Sequence, residues 1–109
     1  MTPQELSVMK HLKGRTNKER LNSKQLCRLV TVDVGRPVSP SEIRGIIFDL
    51  RHHSEMAICS SREGYWEAQN KEEVLDIVRR LSNRVENQMK SIRGLTGYLE
   101  NQTPQGQLF

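Results

Sequence analysis

The spacing of the apolar residues changes twice along this chain, and each change marks a boundary. Up to Leu50 they recur at helical intervals, most clearly at Ile43, Ile46, Ile47 and Leu50, which fall at i, i+3, i+4 and i+7. Between Met56 and Ala68 the interval shortens to alternation. Met56-Ala57-Ile58-Cys59-Ser60 and Tyr65-Trp66-Glu67-Ala68 read as short strands around the turn Ser61-Arg62-Glu63-Gly64. From Val74 onward, steps of four and three take over through Val78, Leu81, Val85, Ile92, Leu95 and Leu99, with Gln88 in the one polar seam position. A helical segment, a hairpin and a coiled-coil-like helix are expected in that order.

Capping signals divide the first segment into three helices. Thr2-Pro3-Gln4-Glu5 is a capping box: the Thr hydroxyl serves a free amide, Pro suits the first helical position, and Glu returns the bond. The helix it opens carries Leu6, Val8, Met9 and Leu12 and ends at Gly14. A polar, basic stretch from Arg15 to Leu21 leads to Asn22 and Ser23, either of which can cap a second helix. Leu26, Leu29 and Val30 form its apolar stripe, with Lys24, Gln25 and Arg28 off it. The β-branched residues, Gly35 and Pro37 between Thr31 and Val38 predict a turn or a short extended piece. Ser39-Pro40-Ser41-Glu42 then repeats the capping box and starts a third helix near Pro40. Asn70-Lys71-Glu72-Glu73 caps the last helix, with acidic residues where the helix dipole favours them. Gly94 and Gly97 each cost about 1 kcal/mol in a helix interior, which predicts fraying past Arg93. The expected organisation is a domain over residues 2–69, a C-terminal helix over 70–99 and a flexible tail over 100–109.

Composition narrows the function classes. With 109 residues, 35 % hydrophobic and 5 % aromatic, the chain has room for one small aliphatic core and an appendage. Tyr65 and Trp66 accordingly read as a lid on that core in preference to a stacking platform for bases. No apolar run approaches the ~18 residues of a membrane span, and the start Met1-Thr2-Pro3-Gln4-Glu5 lacks signal-peptide character, so a cytoplasmic location is expected. Cys27 and Cys59 are too few and too far apart for a disulfide framework or a zinc motif, and read as free thiols. His52, His53 and Cys59 are metal-binding types, but adjacent histidines diverge and no fourth ligand is suitably spaced; no metal or other cofactor is expected. There is no nucleophile motif, phosphate-binding glycine loop or suitably spaced pair of carboxylates, so no enzyme is expected either.

Charge points toward a polyanion. The net charge is +4, and residues 1–65 supply all of the excess, with eleven Lys/Arg against seven Asp/Glu, while residues 66–109 hold six of each. Between positions 10 and 28, Lys10, Lys13, Arg15, Lys18, Arg20, Lys24 and Arg28 face only Glu19. Such a surface attracts a polyanion through counterion release, and its bland alternative is a solvated positive face.

Three helices followed by a hairpin describe a winged helix-turn-helix, here with a long C-terminal helix: an α+β, mainly helical fold. Its third helix must bury one stripe and offer short polar and basic side chains to a groove. Ile43, Ile46, Ile47 and Leu50 supply the stripe; Ser41, Arg44 and Gly45 are left outside, with Arg51 further along. Arginine suits bidentate bonds to guanine or phosphate, and Ser39 or Ser41 can bond phosphate. Lys24, Arg28 and the hairpin-tip Arg62 complete the expected DNA-contacting set. The bland alternative for Arg44 and Arg51 is exposed helix ion pairing, for instance with Asp49 or Glu55.

The segment from Val38 to Arg51, with Ser39, Glu42, Ile43 and Arg44 opening the helix and Leu50-Arg51 ending it, is followed by Ile58-Cys59-Ser60 and Gly64-Tyr65-Trp66. Together they resemble the winged-helix proteins common in bacteriophages and prophages of Gram-positive bacteria, which run from a Ser-x-x-Glu-(Val/Ile)-Arg helix into an Ile-Cys-Ser-x-x-x-Gly-Tyr-Trp wing. The resemblance covers residues 2–69, and the long C-terminal helix is also usual there. It implies binding of double-stranded DNA in transcription control or replication initiation. The seam Val74, Val78, Leu81, Val85, Gln88, Ile92 and Leu95 is longer than so small a domain can cover, which predicts a homodimer or a partner helix. Phe48, apolar where a polar residue is expected, and the seam itself fit a rival reading: an adaptor or inhibitor that binds a host replication or defence protein.

Overall fold

A computed structural model of the protein describes residues 1–102. The fold is α+β and mainly helical, with a small antiparallel sheet and a long C-terminal helix. The chain divides into a first unit, Met1–Leu75, and a second from Asp76 onward.

Helix α1 (Pro3–Leu12) opens on the expected capping box, with Thr2 Oγ1 accepting from the Glu5 amide and Glu5 accepting from the Thr2 amide, both at 3.1 Å. These bonds hold the Glu5 carboxyl below the usual carboxylate range, the Thr2 amide contributing most. Val8 and Leu12 are buried, but Leu6 faces solvent, so the inward stripe is narrower than its sequence spacing suggests.

Helix α2 (Ser23–Val34) is capped by Asn22 and Gln25 in a reciprocal box and buries Leu26, Cys27 and Val30, with Leu29 and Val34 packed against the core. It is longer than the turn expected from Thr31 would allow. β-Branched residues cost only tenths of a kcal/mol each in a helix, whereas Val34 gains core contact and Gly35, at φ 75°, closes the helix in the left-handed conformation that glycine adopts freely. The true connection is Gly35–Ser39. Thr31 steadies it, its hydroxyl accepting from the Val38 amide at 3.0 Å, and Val38 is buried.

Helix α3 (Pro40–His52) starts at Pro40 as expected, with the Ser39 hydroxyl accepting from the Glu42 amide at 3.1 Å. Only half of the second capping box forms, because the Glu42 carboxylate pairs with Arg36 at 3.1 Å instead of returning a bond to Ser39. Ile43, Ile47 and Leu50 are buried; Ile46 is only half-buried.

Strands β1 (Ile58–Ser61) and β2 (Gly64–Glu67) pair antiparallel in the register Ile58 with Glu67, Cys59 with Trp66 and Ser60 with Tyr65. Against expectation, β1 is one residue shorter and starts two residues later, while β2 keeps its length and starts one residue earlier. Cross-strand partners share a face: Ile58 and Tyr65 join the core with Met56, while Cys59 and Trp66 are buried on the other face. The outer edge of β2 does not stay open. Leu21 bridges to Tyr65 through both backbone bonds, at 2.8 and 3.0 Å, giving the order Leu21, β2, β1. The polar stretch after α1 therefore contributes a third strand of one residue. A single 3₁₀ turn, Asn17–Glu19, precedes it, and the Glu67 amide bonds the Arg15 carbonyl at 2.9 Å. Gly64 makes this approach possible: its φ is 146°, and a Cβ there would stand 2.3 Å from the Leu21 carbonyl oxygen.

Helix α4 (Lys71–Gln102) begins with the Asn70 side chain accepting from the Glu73 amide at 2.9 Å. It does not fray at Arg93 but continues through Gly94 and Gly97 to Gln102, so Glu100 to Gln102 are helix and not tail. Residues 103–109 of the expected tail lie outside the described residues. No helix among the described residues is long and apolar enough to cross a membrane.

Candidate nucleic-acid interface

The geometry of α3 decides what its outer face can meet. Ile43, Ile47 and Leu50 pin one side into the core, and the 100° step per residue then turns Ser41, Arg44, Phe48 and His52 toward solvent. Ser41 and Arg44 are exposed, and Arg44 makes no ion pair among the described residues, with Asp49 or with Glu55. Ser39 spends a lone pair on its capping bond, although its hydroxyl proton is free to reach an anion. Phe48 is 64 % exposed and lies flat against the His52 ring, centroids 5.8 Å apart and planes 6° from parallel. His52 meets His53 edge-on, so the histidines belong to a surface aromatic cluster; no group of three metal-ligating residues occurs among the described residues.

The two flanks of this face differ in charge. Beyond Gly45, the residues Thr2, Gln4, Glu5, Glu42, Gly45, Ile46 and Asp49 line an open groove of about 300 Å³ with three carboxylates. A polyanion is repelled from that flank and attracted by the Arg44 side.

Other expected contacts separate into two groups. Lys24 and Arg28, one turn apart on α2, are exposed and make no ion pair among the described residues; Arg62, in the turn between β1 and β2, is likewise exposed and unpaired there. Arg51 has a different task. Its Nε donates to the Ile58 carbonyl at 2.9 Å and an Nη to Ser60 Oγ at 3.0 Å, so its guanidinium ties the end of α3 to β1. Nearby cations are also committed within the fold: Arg20 pairs with Glu63 of the hairpin turn, and Arg15 donates to the His11 and Glu19 carbonyls at 2.9 Å.

Sequence reasoning missed one polar cluster altogether. Asp33 of α2 accepts from Ser7 at 2.7 Å, His11 at 2.8 Å and Lys10 at 3.2 Å, donors from two adjacent turns of α1. The Ser7 hydroxyl first, then the His11 ring, hold its carboxyl down at about 2. This anion locks α1 to α2 and removes Lys10 from the free basic surface.

Along α4, Val74 at the end of the first unit and Val78, Leu81, Val85, Ile92 and Leu95 of the second are all exposed, as is Gln88 among them. Comparison of the chain with known protein families, with curated proteins and with solved structures gives no match.

Proposed function

We propose that the chain is a winged helix-turn-helix protein of phage type that binds duplex DNA, sequence-specifically or generally, in transcription control or replication initiation, and dimerises through its C-terminal helix. The element order and the strand order Leu21, β2, β1 support the winged-helix reading. The observation that carries DNA binding is the unpaired Arg44 beside Ser41 on a helix whose opposite side is anchored by Ile43, Ile47 and Leu50. In this reading α3 enters the major groove, with Arg44 reaching a guanine edge or a phosphate, while Lys24 and Arg28 of α2 and Arg62 of the wing neutralise backbone phosphates.

The test is titration of random-sequence duplex DNA at two salt concentrations. Binding at low salt that weakens steeply as salt rises is expected, since each neutralised phosphate adds about 0.9 to the slope. Arg44→Ala is expected to weaken binding by roughly 5- to 150-fold, the range of about 1–3 kcal/mol for a base-contacting arginine. Negligible affinity at low salt, or affinity indifferent to salt, refutes the reading.

One observation favours a second reading, an adaptor or inhibitor that docks a host protein: Phe48 is exposed at the centre of the α3 face. An apolar ring there is useful at a protein interface. Under that reading Phe48→Ala abolishes partner binding and DNA affinity is absent from the start.

A further inference from the structure

The exposed seam of the second unit carries more information than the existence of a partner. Numbered as heptads, Val78, Val85, Ile92 and Leu99 occupy the a positions, and Leu81, Gln88 and Leu95 the d positions. All are solvent-facing on one continuous helix, α4. We infer that this face pairs in parallel and in register with a second copy of the chain, with Gln88 bonded to the partner copy's Gln88 across the seam. The inference rests on the self-pairing part of the function proposed above and does not depend on DNA binding.

Three observations select this occupant and this direction. First, three of the four a residues are β-branched and the apolar d residues are leucine, the combination that packs best in parallel two-stranded coiled coils. Second, the polar layer is self-complementary in only one direction. In a parallel, in-register pair d faces d, so each Gln88 amide can donate to the other's carbonyl. In an antiparallel pair d faces a, and every a residue from Val78 to Leu99 is apolar, so both amides would be buried without partners. Third, the flanking positions suit an identical partner. Along the seam the e positions are Ser82, Met89 and Thr96, and the g positions include Arg84 and Ser91. Arg84 is the one charge among them, so like copies meet no repulsion and no oppositely charged stranger is called for. The remaining charges lie on the outside, where Asp76 and Arg80 pair with each other within one chain at 3.3 Å. Gly94 and Gly97 also fall on outer positions, and the seam loses no side chain to them.

From Val78 to Leu99 the seam runs about 30 Å at 1.5 Å per residue. In a parallel pair both first units leave from the same end; in an antiparallel pair they leave from opposite ends of that length. With DNA binding, the parallel pair calls for inverted half-sites.

The test uses the full chain without DNA. Light scattering is expected to give twice the chain mass of 12.6 kDa, and Val85→Asp to weaken association at least 100-fold while the emission of the lone, buried Trp66 stays unchanged. Gln102→Cys, at the next d position, reports direction: in a glutathione redox buffer it is expected to form a 102–102 disulfide whose yield survives dilution as long as the dimer does, and to lose it in the Val85→Asp background. A monomeric mass at all concentrations overturns the inference. So does a dimer that fails to cross-link at 102, which identifies an antiparallel pair.

Discussion

Gly64→Ala tests whether the contact between Leu21 and the hairpin holds the first unit together. The added methyl would lie 2.3 Å from the Leu21 carbonyl oxygen and 2.7 Å from its carbon. Both atoms are backbone, so no flexible side chain can yield. The strand must withdraw, and with it go the two bonds between Leu21 and Tyr65 at 2.8 and 3.0 Å. At about 0.5–1.5 kcal/mol net per bond this is about 1–3 kcal/mol. Alanine at φ 146° adds backbone strain of about 1–2 kcal/mol. The total, about 2–5 kcal/mol, is a large share of the 5–15 kcal/mol typical of a domain. Urea unfolding followed by the fluorescence of Trp66 gives the free energy, and amide exchange at Leu21 and Tyr65 reports the bridge. The melting temperature is expected to fall by at least about 8 °C. A loss under about 1 kcal/mol with both amides still protected would refute the reasoning, because the bridge would then tolerate a side chain where its geometry forbids one.

Two further outcomes follow from the placement of charges. The Asp33 carboxyl is held at about 2 against the usual 3.8, so the stability it contributes is complete above pH 4 and disappears as pH falls toward 2. Asp33→Asn is therefore expected to lower the urea midpoint at pH 7 and to flatten its decline between pH 4 and 2; an equally steep decline in the variant would place the acid-sensitive group elsewhere. Arg51→Ala, which removes bonds to Ile58 and Ser60, is expected to cost about 1–3 kcal/mol of stability, whereas Arg44→Ala should change stability by no more than about 0.5 kcal/mol. Chemical denaturation of the two variants side by side checks this, and a reversal of their order would sink the assignment of Arg51 to the hairpin.

What the sequence revealed of the fold, and what it hid, divides by the range of the interaction. The boundaries of α1 and α3 are set by Thr2-Pro3 and Ser39-Pro40 within one turn, and the seam of α4 by a repeat of seven; each is local and legible. Gly35 was an equally local stop signal for α2, but the β-branched run before it obscured a helix that tertiary packing sustains. Leu21 gave no sign of being a strand, because one residue has no period and its partner, Tyr65, lies far along the chain. Leu6 and Ile46 sit at helical spacing yet escape full burial, since spacing says which side a residue is on and not how far the neighbouring element extends.

The candidate site shows the same division, with a consequence for affinity. Counting charges along residues 10–28 suggests a basic surface of seven cations, but three are committed by bonds within the fold: Lys10 to Asp33, Arg15 to backbone carbonyls and Arg20 to Glu63. Arg36 and Arg51 are committed likewise by Glu42 and the hairpin. Ahead of residue 66 the cations without such bonds are Lys13, Lys18, Lys24, Arg28, Arg44 and Arg62. At about 0.9 per neutralised phosphate, these can raise the salt slope of DNA binding to about 5 per chain and no further. The full count of cations in that stretch would permit about twice as much. A measured slope well above 5 per chain would mean that DNA breaks the internal pairs, and Glu63→Gln, which frees Arg20 in advance, should then strengthen binding; a slope at or below 5 leaves that variant without effect on the slope.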